Sequence, residues 1–204
     1  MNNKFSIKNN YPVLLASKSA MRRKMLKSTG LKFKIVPSRV DEKEIKAKYT
    51  KKSFNFIATK LANEKAKTTS KLHKDFYVIG ADQICVYKNI ILSKPITKKK
   101  AIKQLVILNG SEHRQISAFS IYLNDKLIGN YCDTAILKMR KLTLKNIQDY
   151  VNCEEPLQSC GAYKYESKGM LLFANIDGCI DTVKGLPLLP LLELMHKNRI
   201  IKYA

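Results

Sequence analysis

A buried strand that turns into a helix within three residues is the feature that most constrains the fold of this chain. Residues 11–16 (YPVLLA) form an apolar run that is typical of a buried strand. Residues 20–29 have the pattern of a helix, and Gly30 stands where that helix would end. The short polar link over residues 17–19 indicates a strand–helix unit of the kind from which α/β proteins are built.

Strands and helices are predicted to alternate along the rest of the chain. Apolar runs predict strands over residues 33–38, 76–87 with an interruption at 80–83, 90–92 after a turn at Asn89, and 170–176. Two longer runs predict a hairpin over residues 113–123 and 127–139, which turns at Asn124 and Asp125. Helical patterns cover residues 52–71, 98–108 behind Thr97, the stretch from Thr143 to about Val151, and 185–195 with Pro190 in the first turn. Residues 39–50 are polar and are predicted to form a loop.

This order of elements predicts an α/β fold with a mixed β-sheet and flanking helices, arranged as one domain over residues 1–204. No apolar run reaches the roughly 18 residues that a membrane helix needs, and the N-terminal residues are too polar for a signal peptide. We therefore expect a soluble, cytoplasmic protein without a membrane partner. The five cysteines form no C-x-x-C pair, which favours free thiols over disulfides.

The formal charge of +22 has two interpretations, a nucleic-acid-binding surface or a compositional bias towards lysine. Lysine outnumbers arginine 32 to 6, and the longest basic run is only Lys98 to Lys100. A dedicated binding surface would concentrate its charge and favour arginine, so we expect no nucleic-acid partner. The charge would still attract small polyanions such as nucleotides.

The stretch LLASKSAMRRKML, residues 14–26, places two hydroxyls and two guanidinium groups at the strand-to-helix junction. A helix that begins near residue 20 offers free N–H groups and the positive end of its dipole. Ser17, Ser19, Arg22 and Arg23 could complete an anion site for which phosphate is the natural ligand. The alternative is that Ser19 only caps the helix and both arginines face solvent.

Asp82 follows the apolar strand that contains Gly80, and strand ends are where open α/β sheets bind their ligands. Its carboxylate could hold a divalent ion or accept a proton from water, although a turn-forming role is the alternative. Lys65, in ANEKA, and Lys94, in SKP, are candidate phosphate-binding lysines. The pair at residues 41 and 42 could supply metal-binding carboxylates or belong to a solvated loop.

Taken together, these segments resemble the Maf family of nucleotide pyrophosphatases. The resemblance extends from about Val13 to Met195 and is carried, in family order, by LLASKSAMRRKML, VDE (40–42), LANEKA (61–66), GADQICV (80–86), SKP (93–95), EEPLQSCGAYKYE (154–166) and GLPL (185–188). It implies an elongated Maf/Ham1-like fold, similar to that of inosine triphosphate pyrophosphatase, with two lobes around a central cleft and often a homodimer.

The resemblance also implies cleavage of a nucleoside triphosphate between the α and β phosphates, with Mg²⁺ or Mn²⁺ as cofactor. Asp82 falls at the position of the catalytic proton acceptor. The other site positions fall on the phosphate-binding and metal-binding candidates Ser17, Arg22, Glu42, Lys65 and Lys94. Glu42 and Asp82 are the implied metal ligands.

Three positions bear on which base the family member prefers. The 7-methyl-GTP branch has Trp, Gln and Glu there, and the thymidine/uridine branch has Arg, Thr and Gln. Here they are Met21, Gln83 and Glu166, so two of the three match the first branch. A carboxylate at residue 166 could accept both donors of the guanine edge and would favour the positive charge of N7-methylguanine. Ala20, where the family usually has proline, and Met21, which lacks the cation–π face of tryptophan, depart from the pattern.

These observations predict a 7-methyl-GTP pyrophosphatase that keeps a modified nucleotide out of nucleic acid. One alternative is the same reaction on dTTP and UTP. Another is a nucleotide- or nucleic-acid-binding factor with little catalysis, since members of the family have been linked to cell division. His73, His113 and His196 have no neighbours in sequence that suggest a catalytic triad or a metal site.

Overall fold

Strands and helices alternate in the computed structural model of the chain, which describes residues 6–204. The strands are β1 (Ile7–Asn9), β2 (Val13–Leu15), β3 (Lys34–Ile35), β4 (Tyr77–Tyr87), β5 (Ile90–Leu92), β6 (Glu112–Leu123), β7 (Lys126–Met139), β8 (Phe173–Asp177) and β9 (Ile201–Tyr203). The helices are α1 (Ala20–Ser28), α2 (Glu42–Lys48), α3 (Phe54–Leu72), α4 (Lys98–Leu108), α5 (Leu144–Glu154), α6 (Ile180–Lys184) and α7 (Leu188–Lys197), with a short 3-10 helix at Lys168–Leu172.

The chain divides into two compact units, each with its own hydrophobic core. The first unit contains residues 6–82, 117–133 and 185–204, and the second contains residues 83–116 and 134–184. Strands β4, β6 and β7 therefore contribute residues to both units. Because strands pair both parallel and antiparallel, the predicted mixed α/β class is confirmed.

The first unit is built around parallel strands. Strand β2 pairs in parallel with β3 on one side and with β4 on the other, so that Leu14 lies between Lys34 and Val78. Strands β6 and β7 continue the sheet beyond β4, and β1 pairs with β9 in a separate antiparallel sheet. Buried apolar residues from β2, α1, β4, β6 and α7 form its largest core cluster, which includes Leu15, Leu26 and Phe119.

Helix α3 packs unusually close to β4 because residue 80 is glycine. A Cβ atom built on Gly80 would lie 2.4 Å from the carbonyl oxygen of Ala62 and 2.5 Å from the backbone nitrogen of Ala66. Both helix residues are small and fully buried. This close approach brings Lys65 to the strand that carries Asp82.

In the second unit, β5 pairs antiparallel with the later residues of β4, and β8 pairs antiparallel with β7. Its core is formed by α4, α5, β7, β8 and the segment around residue 163. Helix α4 begins at its Thr97 cap, and α5 begins with a capping box in which Thr143 and Asn146 satisfy each other's backbone donors. Both caps confirm the predicted helix starts.

Several other predicted elements are confirmed. Helices α1 and α3 lie within two residues of their predicted bounds, and Gly30 follows α1 with a φ of +80°. The predicted hairpin is β6–β7, and its turn residues Asn124 and Asp125 have the left-handed backbone that tight hairpin turns require. No helix of the described residues is both long and apolar enough to span a membrane.

Three local predictions are wrong. The polar stretch 39–50 contains helix α2, because the Asp41 carboxylate accepts hydrogen bonds from the N–H groups of residues 43 and 44. Strand β4 is not interrupted at 80–83, since Gly80 marks a close approach to α3 and not a break. The run 170–176 begins inside the 3-10 helix, and its strand starts only at Phe173.

Substitution of Gly80 tests the contact between α3 and β4. We expect Gly80→Ala to lower the free energy of unfolding by about 3 kcal/mol, because the new Cβ meets rigid backbone atoms. Gly30→Ala is the matched control: no atom lies within 4 Å of its added Cβ, so it should cost only the left-handed strain of about 1 kcal/mol. Denaturant unfolding of both variants gives the comparison, and equal losses would contradict the close packing.

Candidate active site

The strand-to-helix junction of the first unit orients the hydroxyl group of Ser17. Strand β2 is followed by Ala16 and the buried Ser17, and Ser19 is the N-cap of α1, with its Oγ accepting from the Arg22 backbone N–H at 3.2 Å. The Ser17 Oγ accepts from the Ser19 N–H at 3.2 Å and from the Arg22 Nη1 at 3.3 Å. With both lone pairs engaged, the Ser17 O–H is left to donate, which suits an anion.

Arg22 is a buried residue and does not face solvent. Its Nε donates to the carbonyl of Gly185 at 2.8 Å, and its Nη1 donates to the carbonyl of Ala81 at 2.9 Å. The alternative in which this arginine is solvated is therefore excluded. Because Ala81 directly precedes Asp82, the guanidinium group ties the α1 junction to the middle of β4. The candidate catalytic carboxylate lies there and not at the strand end that the sequence predicted, because the strand continues to Tyr87.

Lys65 joins the two candidate metal-binding carboxylates. Its Nζ lies 2.5 Å from Asp82 Oδ1 and 2.6 Å from Glu42 Oε1. The side chains of Lys65 and Asp82 are 10% and 5% exposed, whereas that of Glu42 is 39% exposed. A buried carboxylate is tolerated only when it is paired, and one ammonium group here faces two carboxylates. Glu42 also faces Lys46, with 3.9 Å between its Oε2 and the Lys46 Nζ, and this side of the cluster is open to solvent.

Only one of the two carboxylate oxygens of Asp82 is held by Lys65. Its Oδ2 is buried and has no hydrogen-bond partner in the part of the chain that the structure describes. Within that part there is also no cluster of three or more His, Cys, Asp or Glu residues around a common point. This donor set fits Mg²⁺ or Mn²⁺, which typically use one or two carboxylates and complete their coordination with water and substrate phosphates.

Three further residues that the sequence assigns to the site each have their own surroundings: Met21, Gln83 and Lys94. Met21 is partly buried and packs against the core cluster of the first unit. In the second unit, the Gln83 Nε2 donates to the carbonyls of Thr182 at 3.1 Å and Val183 at 2.8 Å, so its amide supports the end of α6. Lys94 lies after β5 with an exposed side chain. Their roles in binding a substrate stay predictions.

Glu166 is an exposed carboxylate in the segment between α5 and the 3-10 helix. Among the described residues it forms no hydrogen bond or ion pair, although the chain has 38 basic residues to 16 acidic ones. Its neighbours are held firmly: the backbone N–H of Lys164 donates to the Tyr150 hydroxyl at 2.9 Å, and the hydroxyl of Ser167 donates to the Glu154 carboxylate. The chain around Glu166 is therefore held, while its carboxylate is unpaired within the described residues and is available to a ligand.

Two features of the structure were missed from the sequence, one in the candidate site and one elsewhere. The carbonyls of Ala81 and Gly185 that hold Arg22 carry no side-chain signal, and only the fold brings them together. The second feature is the buried polar group of His113, Gln115 and Tyr163 in the second unit. The sequence did contain a signal for this group, because His113 and Gln115 are two residues apart on β6 and therefore lie on the same face of the strand.

A buried lysine that holds two carboxylates, beside a serine and an arginine at a helix start, suits an enzyme that binds phosphates together with a divalent ion. Comparison with known proteins agrees with this class. The family model described as Maf-like protein matches residues 12–198. A nucleoside triphosphate pyrophosphatase of Legionella pneumophila (strain Paris) is 38% identical over 190 residues, covering 93% of this chain and 95% of that protein.

Further relatives with the same name are found in other bacteria. The protein of Pelagibacter ubique (strain HTCC1062) is 33% identical, covering 93% of this chain and 98% of that protein. A HAM1 protein from Coxiella burnetii has a TM-score of 0.37 at 12% identity, covering 63% of this chain and 73% of that one, a similarity too low to define the fold. The family match and the identity over most of the chain establish that this protein belongs to the Maf family.

Proposed function

We propose that this protein hydrolyses a nucleoside triphosphate to the monophosphate and pyrophosphate, and that its substrate is 7-methyl-GTP. The observation that carries the first part is the Lys65 bridge between Asp82 and Glu42, with the second oxygen of Asp82 buried and unpartnered. Relatives that are 33–38% identical over 93% of the chain are named nucleoside triphosphate pyrophosphatases.

The cations of the first unit suit the charge of the substrate. A triphosphate carries about four negative charges, which charge-assisted hydrogen bonds from several cations must offset. Arg22 and Lys65 are held in place before the substrate arrives, the first by main-chain carbonyls and the second by two carboxylates. Such preorganised charges stabilise the leaving pyrophosphate without further rearrangement. Lys94 of the second unit is proposed as an additional phosphate-binding residue.

Asp82 is the proposed proton acceptor. Lys65 holds its Oδ1, so the carboxylate is oriented and the free Oδ2 can take the proton of a water molecule that attacks the α-phosphorus. Asp82 and Glu42 would hold Mg²⁺ or Mn²⁺, and such an ion, when bound, neutralises phosphate charge and lowers the pKa of a water ligand. No covalent intermediate is required, because water itself is the nucleophile.

The choice of 7-methyl-GTP rests on Glu166. Its carboxylate is exposed and unpaired within the described residues, the chain on either side of it is held, and the matching Gln83 belongs to the same unit. N7-methylguanine is a cationic base with two neighbouring N–H donors on one edge, and a carboxylate complements both features. Met21 gives a polarizable contact where the branch has tryptophan, so recognition would depend more heavily on Glu166.

Replacement of the proposed proton acceptor tests the reaction. We expect Asp82→Asn to lower kcat at least about a hundredfold, because the amide cannot accept the proton. Asp125→Asn is the matched control, since Asp125 lies in the same unit and also faces a lysine, Lys71, at 3.7 Å. The control should keep wild-type turnover. A fully active Asp82→Asn enzyme would refute the assignment.

Replacement of Glu166 tests the substrate. We expect Glu166→Gln to lower kcat/KM for 7-methyl-GTP about tenfold or more, because the charge and one acceptor are lost, while turnover of UTP changes little. Glu112→Gln serves as control because it removes an exposed carboxylate from the same unit. Steady-state kinetics of each variant with 7-methyl-GTP and with UTP measure these changes. If the wild type prefers UTP, the protein has the dTTP/UTP specificity, and an equal loss on both substrates would speak against base recognition by Glu166.

A further inference from the structure

Three buried side chains of the second unit form a connected polar group that the proposed reaction does not use. His113, Gln115 and Tyr163 are 2%, 2% and 4% exposed. The Tyr163 hydroxyl lies 2.7 Å from Gln115 Nε2 and 2.8 Å from His113 Nε2. Buried polar groups are expensive in an apolar core, so a group of this size needs an explanation beyond packing.

The direction of the hydrogen bonds follows from the chemistry of the three groups. The amide nitrogen of Gln115 can only donate, so the Tyr163 oxygen accepts from it, and the phenol proton is then directed to His113 Nε2. This requires a neutral imidazole, and burial lowers the pKa of His113 to about 4. Burial also raises the pKa of Tyr163 well above its usual range, so the phenol keeps its proton. The network is therefore a fixed chain from Gln115 through Tyr163 to His113.

Two polar atoms of this network have no hydrogen-bond partner within the described residues. His113 Nδ1 and Gln115 Oε1 are buried and lack hydrogen-bond partners within residues 6–204. An apolar replacement of the whole group would remove these unsatisfied atoms, so stability alone does not account for the group. What the three side chains do achieve is to fix one hydroxyl, that of Tyr163, from two directions on strand β6.

Tyr163 is three residues before Glu166, and the chain around it is held at several points. Gly161 has a φ of +81°, and a Cβ there would lie 2.9 Å from the thiol sulfur of Cys85 on β4. The Cys160 thiol contacts the carbonyl of Gln83, with 3.8 Å between sulfur and oxygen. On the far side of Glu166, the Gly169 N–H donates to the Lys164 carbonyl at 3.0 Å. The exposed carboxylate thus lies on a short segment with both ends fixed.

We propose that Tyr163, fixed by His113 and Gln115, is a positioning residue that sets the place of the Glu166 carboxylate and thereby the preference for a cationic purine base. This rests on the proposed function, in which Glu166 contacts the base. Tyr163 itself contacts no substrate. Its ring packs edge-on against Phe173, with 4.7 Å between ring centroids, so Tyr163→Phe removes the hydroxyl and retains the packing of the ring.

Kinetics of single and double variants test this role. We expect Tyr163→Phe to raise KM for 7-methyl-GTP and to lower the ratio of kcat/KM values for 7-methyl-GTP and UTP about fivefold to tenfold, with kcat on UTP unchanged. Tyr165→Phe is the matched control, because its hydroxyl forms no hydrogen bond within the described residues, and it should change the ratio by less than about twofold.

The double variant separates positioning from a general effect on the fold. If Tyr163 acts through Glu166, then Tyr163→Phe should change the substrate ratio by less than about twofold in a Glu166→Gln background. An equal effect in both backgrounds, or an equal loss on both nucleotides, would overturn the proposal. Thermal unfolding of each variant ensures that the kinetics are measured on folded protein.

Failure of the proposed function can be distinguished from failure of this inference. If the wild-type enzyme shows no preference for 7-methyl-GTP, the proposed substrate is wrong. The positioning role of Tyr163 is then tested by hydrogen–deuterium exchange of the peptide that covers residues 164–168. Faster exchange in Tyr163→Phe, with no change in Tyr165→Phe, would support the positioning role. Unchanged exchange in Tyr163→Phe would overturn it.

Discussion

The candidate site depends on the close approach of helix α3 to strand β4 at Gly80. Without a side chain there, backbone atoms of Ala62 and Ala66 lie against the strand, and Lys65, between them, reaches Asp82 two residues further along β4. A helix held farther from the strand would leave two opposite charges buried and separated. The glycine, which contributes no functional group, therefore determines where the ammonium group lies.

The charged groups of the site are held by a small set of contacts that also explain why they can act. Lys65 neutralises part of the charge of Asp82 and Glu42 but leaves one Asp82 oxygen without a partner in the described chain. Arg22 is held by the main-chain carbonyls of Gly185 and Ala81, so its guanidinium group has a fixed position beside the strand that carries Asp82. Removing either partner of such a buried pair leaves an uncompensated charge, which links function and stability at these positions.

The sequence predicted the elements that rest on local chemistry and failed where tertiary contacts decide. The cap residues Thr97 and Thr143 marked two helix starts, since a hydroxyl followed by free N–H groups is a local signal. Helix α2 was missed because it buries no residue and so has no apolar pattern, although Asp41 caps it. Gly80 was interpreted as a strand break, because nothing in one sequence shows that a helix presses against it.

The family motifs imply which side chains form the site, and the geometry adds how several of them are held. Lys65 contacts both Asp82 and Glu42, whose roles as metal ligands stay predictions. The most direct test is ³¹P NMR of the products formed by the wild-type protein from 7-methyl-GTP and Mg²⁺. The account predicts 7-methyl-GMP and pyrophosphate in equal amounts. Formation of 7-methyl-GDP and orthophosphate, or no turnover of any nucleoside triphosphate, would contradict it.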